Sequence, residues 1–529
     1  MKKRIFALLC AGMMLLSGCG GNGNNGGTDY ETSQANFKGY PMEGAPKMTY
    51  WEAMNANMSL IVGNQGETEF AKELAKRTGL EVEYIDPGVS GEEDLKNRIA
   101  SGDLPDMVAY GWTNFNGGPE KNIEEGLIIP LNDLIDKYAP NLKKYLEEHP
   151  EIDKMIKTDD GTYYCFPFIR GGKRLLISTG PVYRRDWAEK AGLDAPKTVA
   201  DIEKILKAYK DQGVKKPLSA TSGDLEVFMG NFGTGTGFYY GPKKEVVYGP
   251  ATENYKFALE TYAKWYKEGL LDKNFVSLDS ATVKAQVLND ETGMTITSGG
   301  GGLGSWLDTK AATNEPFDMV GFTYTVNKEG EKNAYHNIET NYPGYGSVAI
   351  TSSCKDPVAA VIYLDYGYSE EGQIFYNFGT EGVSYEKNDK GEYIYTDLIN
   401  KNPNGWTQAS AMTYYIRGSQ SGPFIQSEGY IDQFYGKKNQ QETLDAWIAD
   451  YDTAKENRLP NYAMTADENI EYTEIMFDIY DYVKAEKVKF ITGERTLDEW
   501  DDYVKTLNDL GLNRAIEIVK AACDRYNNK

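Results

Sequence analysis

Between Lys47 and Tyr110 the chain alternates short strand-like runs with helical ones, an order that few folds accommodate. Met48-Thr49-Tyr50-Trp51 reads as a strand and 69–78 as a helix stopped by Gly79. Residues 81–85 form the next strand, 92–100 the next helix and 107–110 the third strand. Parallel strands need a crossover, and the intervening helices supply it, so the pattern predicts right-handed βαβ units and a parallel sheet. Ligands of such sheets sit off the carboxyl ends of the strands, which points to 51–55, Asp86 and 110–112.

Further along, helix signals dominate. Thr198 precedes Asp201 by three, ahead of Ile202, Ile205, Leu206 and Tyr209 on one face, so a capped helix is predicted from Thr198. Tyr255, Ala258, Leu259, Tyr262, Trp265 and Tyr266 make a second apolar stripe ended by Gly269. Thr496 and Glu499 form a capping box before Trp500, Val504, Leu507 and Leu510, with Gly511 as the stop. No repeat at solenoid or propeller spacing is present.

The N-terminus bounds location. Lys2, Lys3 and Arg4 precede the apolar run 5–16, and Leu16-Ser17-Gly18-Cys19 closes it with small residues, the pattern of a cleaved export signal over 1–19. The run falls short of the ~20 residues that a spanning helix needs. LSGC resembles the bacterial lipobox, whose cysteine, here Cys19, becomes the lipidated first residue of the mature chain, and two acyl chains suffice for stable anchoring. Residues 20–46 are nearly pure Gly and Asn as far as Gly27 and show no apolar period beyond it, so they are expected to be a flexible tether. About 25 residues of such coil reach roughly 25–30 Å. The protein is therefore expected on the outer face of the cell membrane of a Gram-positive bacterium, held by its lipid.

About 480 residues remain for the body, more than one core usually holds, so two or more lobes are expected. Lys and Arg number 56 against 79 Asp and Glu, a net charge of −23 that excludes nucleic acid or anionic lipid headgroups as the main partner. Beyond Cys10 and Cys19 the cysteines are Cys165, Cys354 and Cys523, which show neither a disulfide framework nor metal spacing. The sequence leaves open a single bridge between two of them.

Several stretches resemble one family. They are 95–110 (LKNRIASGDLPDMVAY), 127–140 (LIIPLNDLIDKYAP), 161–167 (GTYYCFP), Arg185-Asp186-Trp187 with Ala191-Gly192-Leu193, 265–270 (WYKEGL), 293–299 (GMTITSG) and 381–385 (EGVSY). In this order they resemble extracellular solute-binding proteins of the family-1 type, most of all the LipO-like long subgroup, which deliver cargo to ABC importers. The resemblance implies an α/β, two-lobe periplasmic-binding-protein-like fold of type II, with discontinuous lobes joined by a hinge. Lobe 1 would comprise 47–170 plus 350–401 and lobe 2 would comprise 171–346 plus 402–529, with hinges at 168–172 and 345–349. It implies a monomer that works with ABC permease subunits, without cofactor or catalytic residue. Some long members carry an Asp-x-Asn-x-Asn calcium loop; 211–223 lacks that pattern, so no metal is carried over.

Aromatic residues give the strongest hint of cargo. A sugar's axial C–H face is apolar and an aromatic face slightly negative, so a flat ring on a cleft wall holds a sugar and excludes water. Trp187, Trp265, Trp447 and Trp500 lie on helical stripes and read as core, whereas Trp51, Trp112, Trp306 and Trp406 fall at strand ends or in loops and are the candidate stacking residues. Candidate polar contacts are Glu52, Asn55, Asp86 and Asn114 near the strand ends, with Arg170 and Asn341 beside the hinges. Tyr110, at the end of the third strand, joins them. Tyr342 and Tyr345 flank a Pro-Gly turn and either line the cleft or pack the hinge.

Other motifs carry less. Glycines 299–304 match a G-x-G-x-x-G spacing, but mid-chain and without a clear acidic partner about twenty positions on, so they read as close backbone approach to a ligand or a neighbouring strand. Ser352-Ser353-Cys354-Lys355 lacks the companion motifs of penicillin-interacting enzymes, and His149 and His336 are too few for histidine-based triads or zinc sites. The expected function is an oligosaccharide receptor. A peptide receptor of the same fold and an exported glycoside hydrolase, which needs two carboxylates about 5–10 Å apart, are the alternatives.

Overall fold

The computed structural model describes residues 30, 32–113, 115, 117–313 and 316–528; the export signal, Cys19 and Asn114 lie outside them. β1 (Met48–Trp51), β2 (Val82–Ile85) and β3 (Met107–Ala109) are parallel, as their alternation with helices predicts. After β4 (Ile169–Arg170), a second sheet gathers β5 (Thr179–Arg184), β6 (Lys216–Leu218), β7 (Thr292–Ser298) and β8 (Met319–Gly321). β9 (Val348–Ile350) returns to pair antiparallel with β3, and β10 (Ile425–Gln426) pairs parallel with β4. The sheet orders are β9-β3-β1-β2 and β8-β5-β7-β6. No helix among the described residues is long and apolar enough to cross a membrane.

Local chemistry sets the element ends. Thr68 accepts from the Ala71 amide to start the helix Glu69–Thr78, and Gly79, at φ +76°, ends it in the left-handed conformation that glycine adopts without a Cβ penalty. Thr198 and Asp201 form a reciprocal capping box on Val199–Asp211, and Thr496 with Glu499 do the same ahead of Trp500–Asp509.

Each sheet has its own core. In lobe 1 Leu74, Leu95, Val108, Leu142, Phe166 and Val348 pack together with the helix Pro357–Asp365, which is buried at every position, as a helix apolar all round must be. In lobe 2 Ile202, Leu259, Trp265, Met294 and Trp500 form one cluster, and Val182, Trp306, Met319, Leu444 and Trp447 a second against it. The cores divide the chain differently from the expected lobes. Lobe 1 starts at Met42, regains the chain at Tyr342, loses it after Tyr376 and takes Phe424 and Ile425. Phe378 through Ile399 belong with lobe 2, because Phe378 stacks on Tyr393 of the hairpin that follows, at 4.8 Å.

The tether also ends earlier than its composition suggests. Thr32 and Ser33 donate hydrogen bonds to the Asp356 carboxylate, Tyr40 donates its hydroxyl to Ile362 O, and the Met42 amide bonds Thr78 O at 2.8 Å. Met42 is 4 % exposed. Two side chains without any period suffice, because Asp356 caps a buried helix and still has oxygens to spare.

Candidate functional site

Three segments run side by side where the lobes meet. Phe166 and Val348 exchange backbone hydrogen bonds at 2.8 and 2.9 Å, Ile169 N donates to Phe424 O, Arg170 N to Asn341 O and Gly171 N to Gln426 O. The expected hinges 168–172 and 345–349 are two of these segments; the third, 417–427, has no sequence signal. Gly346 sits at φ +68°, and a Cβ there would lie 2.2 Å from the Ser421 Cβ, so close approach of two crossings requires glycine. The Arg170 guanidinium reaches the Tyr345 hydroxyl at 2.5 Å and the Glu339 carboxylate at 2.8 Å, and Tyr345 donates to Glu339. One polar knot thus ties two crossings together.

Beside these crossings lies a groove. One part, about 450 Å³, is walled by Thr113 and Tyr164 of lobe 1, by Thr340 and Tyr342 of the second crossing, and by Arg458, Asn461, Tyr462, Asn469 and Tyr472. It continues into a space of about 460 Å³ that shares Arg458, Asn461, Tyr462 and Tyr472 and adds Phe238, Tyr335, His336, Glu339 and Tyr480. The turn 458–465 supplies the shared wall between the helices Tyr451–Asn457 and Ala466–Thr492, with Pro460 in its middle preventing them from joining. Asn461 pins it by donating to Tyr342 O at 2.6 Å and Thr340 Oγ1 at 3.2 Å.

The groove's wall is rich in hydroxyls and carries two cationic side chains, Lys157, which is paired with Asp153, and Arg458. Burial pushes the Tyr342 and Tyr164 phenols well above their usual range, and the two hydroxyls share a hydrogen bond of 2.7 Å. His336 lies stacked on Tyr324 at 4.8 Å, and burial lowers its pKa to about 4, so it is neutral at pH 7. Burial also lowers the Arg458 pKa, opposed by Tyr335, Glu339 and Tyr451. Arg458 lines both parts of the groove, and among the described residues no protein oxygen accepts from its guanidinium, a group that can donate up to five hydrogen bonds. Glu339 is the one carboxylate among the lining residues, and it is paired with Arg170.

The sequence-derived candidates separate into three groups. Arg170, Asn341, Tyr342 and Tyr345 come together at the crossings, Tyr342 on the groove wall and Tyr345 44 % exposed. Asn55, Asp86 and Tyr110 stand at the carboxyl rim of lobe 1: Asn55 caps a short helical turn by accepting from Asn57 N, exposed Asp86 accepts from Met54 N and Gly88 N, and half-buried Tyr110 bonds Ser347 O through its amide. The third group is corrected by the packing. Trp51 is 2 % exposed with its indole N–H given to Asp94, and Trp112 is equally enclosed, its N–H turned to Val108 O. Glu52 is buried in an ion pair with Arg417 and accepts from Gln65 at 2.8 Å. Trp306 is buried in lobe 2, and Trp406 packs edge-on against Tyr414 at 5.1 Å. Gly299, Gly300 and Gly304 make room for Tyr435, Phe434 and Gln440 of neighbouring helices rather than for a ligand.

Arg458, Tyr462 and Tyr472 were not legible as site residues. The one local signal, for Arg458 and Tyr462, is the run Arg458-Leu459-Pro460-Asn461-Tyr462, a polar and aromatic loop between two helical stretches, while Tyr472 stands within the second helix.

A profile of bacterial extracellular solute-binding proteins matches residues 62–374. The chain is 26 % identical to the fructooligosaccharide ABC transporter substrate-binding protein FusA of Streptococcus pneumoniae serotype 4, over 98 % of this chain and 97 % of that one. It is 23 % identical to the lipoprotein LipO of Bacillus subtilis, over 84 % of this chain and 87 % of LipO. In fold it is similar to the solved structure of S. pneumoniae FusA in complex with kestose, with a TM-score of 0.73 at 24 % identity, covering 92 % of this chain and 100 % of that one. The α/β two-lobe architecture is the periplasmic-binding-protein-like fold.

Proposed function

The chain belongs to the bacterial extracellular solute-binding proteins, and from that premise we propose that it captures a neutral oligosaccharide in the junction groove and hands it to an ABC importer. The observation that carries this reading is the Arg458 guanidinium, which has no acceptor among the described residues and lines the groove together with Tyr164, Tyr342, Tyr462 and Tyr472. Flat rings take the apolar face of a sugar, and N–H forks take its hydroxyls. Arg170, Asn341 and Tyr345 form the floor under the cargo, and Asn55, Asp86 and Tyr110 are the lobe 1 groups that meet it on closure. Chemistry on the cargo is not part of the proposal: Glu339, the one carboxylate lining the groove, is held in an ion pair with Arg170. The mature chain acts as a monomer held to the outer membrane face by lipid on Cys19, and Cys19→Ala would release it into the medium.

A thermal-shift panel of neutral oligosaccharides, acidic oligosaccharides and oligopeptides tests the cargo class, since a ligand of the native state raises the melting temperature with concentration. Because FusA is a fructooligosaccharide-binding relative, kestose and its longer homologues head the panel. A shift with a neutral glycan, recovered uncut after incubation, is expected. Response to peptides alone, or a cleaved glycan, would sink the proposal.

A further inference from the structure

The long helix Ala466–Thr492 does more than close the groove. Thr473 lines its first part and Tyr480 its second. Phe477 lies four residues after Thr473 and three before Tyr480, so helical geometry places all three on one stripe, with Ile470 one turn earlier. Phe477 is 67 % exposed, Tyr480 48 % and Ile470 37 %. A large aromatic ring standing in water between two groove-lining residues is the exception for a helix whose inner face, Met476, Ile479 and Val483, is fully packed. The bordering surface carries Glu474, Asp478 and Asp481, with Lys484 one turn after Tyr480 on the same stripe, all exposed.

We infer that Phe477 and Tyr480 form an outer sugar subsite, an aromatic lip on which the far end of a longer neutral glycan lies once the groove is filled. The inference rests on the oligosaccharide reading above and extends it to length and charge. The groove holds the first rings of the cargo whatever its length. Further rings leave it along the helix and meet Tyr480 and then Phe477, whose faces take the C–H side of a pyranose or furanose. Three carboxylates against the single Lys484 leave the border net negative, which disfavours uronate-bearing chains of the same length relative to neutral glycans.

The test is calorimetric titration of the full chain and of Phe477→Ala with kestose, nystose and the next higher homologue, and with an oligogalacturonate of matched length. Wild type is expected to gain affinity from the trisaccharide to the pentasaccharide and to bind the oligogalacturonate least. Phe477→Ala should weaken the pentasaccharide roughly three- to tenfold and the trisaccharide less than twofold. The ring is exposed, so the melting temperature should not move; Phe477→Trp, which keeps an aromatic face, should restore the length dependence. An equal loss at every length, or no loss at any, overturns the subsite while leaving the receptor reading in place; preference for the oligogalacturonate overturns both the subsite and the neutral cargo class. Absence of binding by wild type to every glycan overturns both.

Discussion

Arg458 bears the largest share of the proposed capture. A hydrogen bond to a charged group contributes about 1.5–3 kcal/mol, so Arg458→Ala should weaken cargo binding by that much, roughly ten- to a hundredfold. Because the guanidinium gives no hydrogen bond to a described protein oxygen, the melting temperature should hold or rise. Calorimetry beside thermal denaturation separates the two effects, and unchanged affinity would remove Arg458 from the site. His336 contributes to acid behaviour. Its folded pKa of about 4 lies below the ordinary 6.5, so the unfolded chain binds the extra proton first and stability is lost as pH falls from about 6.5 to 4. The contribution is about 3 kcal/mol by the linkage relation. His336→Gln should remove this component, read as the difference between wild-type and variant unfolding free energies at pH 7.5 and 4.5; a difference that does not vary with pH would contradict it. Sequence position misleads most at this scale. A Trp after a strand stands at the ligand end of a sheet, yet side chains alternate across a strand, and only the packed fold shows that Trp51 and Trp112 turn into lobe 1.

At the scale of elements, the crossings hold the lobes in register. Arg417, on the third crossing, pairs with Glu52 at the end of β1, their side chains 4 % and 8 % exposed. Removing one partner of a buried pair leaves a charge without its counter-ion, so Arg417→Ala should cost about 3–5 kcal/mol, while Glu52→Gln with Arg417→Met should cost far less. Urea titration of the single and double variants measures this; equal losses would mean that the pair does not act as a unit. Secondary elements were largely readable, because caps and stops are local: Thr68, Gly79, Thr198 with Asp201, Gly269 and Thr496 with Glu499 all act within a few residues of where they stand. The 417–427 crossing was not, since its partners Ile169 to Gly171 lie about 250 residues away and a two-residue strand has no period to detect.

For the whole molecule, closure is the measurable property. Two cores joined by three extended segments form a hinge, so saturating cargo should lower the radius of gyration in solution scattering, and an unchanged radius would rule out closure. The two-lobe α/β plan was legible from the opening βαβ units and the family-like stretches, whereas the lobe limits depend on which core each side chain joins, as Phe378 and Phe424 illustrate. The docked arm at 32–46 adds a directional consequence. Thr32, Ser33, Tyr40 and Met42 fasten it to lobe 1 alone. With the chain held by lipid at Cys19 as proposed, any pull from upstream would be borne by that half, so the arm would serve as a mooring, and loading and unloading would swing the unmoored lobe while the other keeps its bearing.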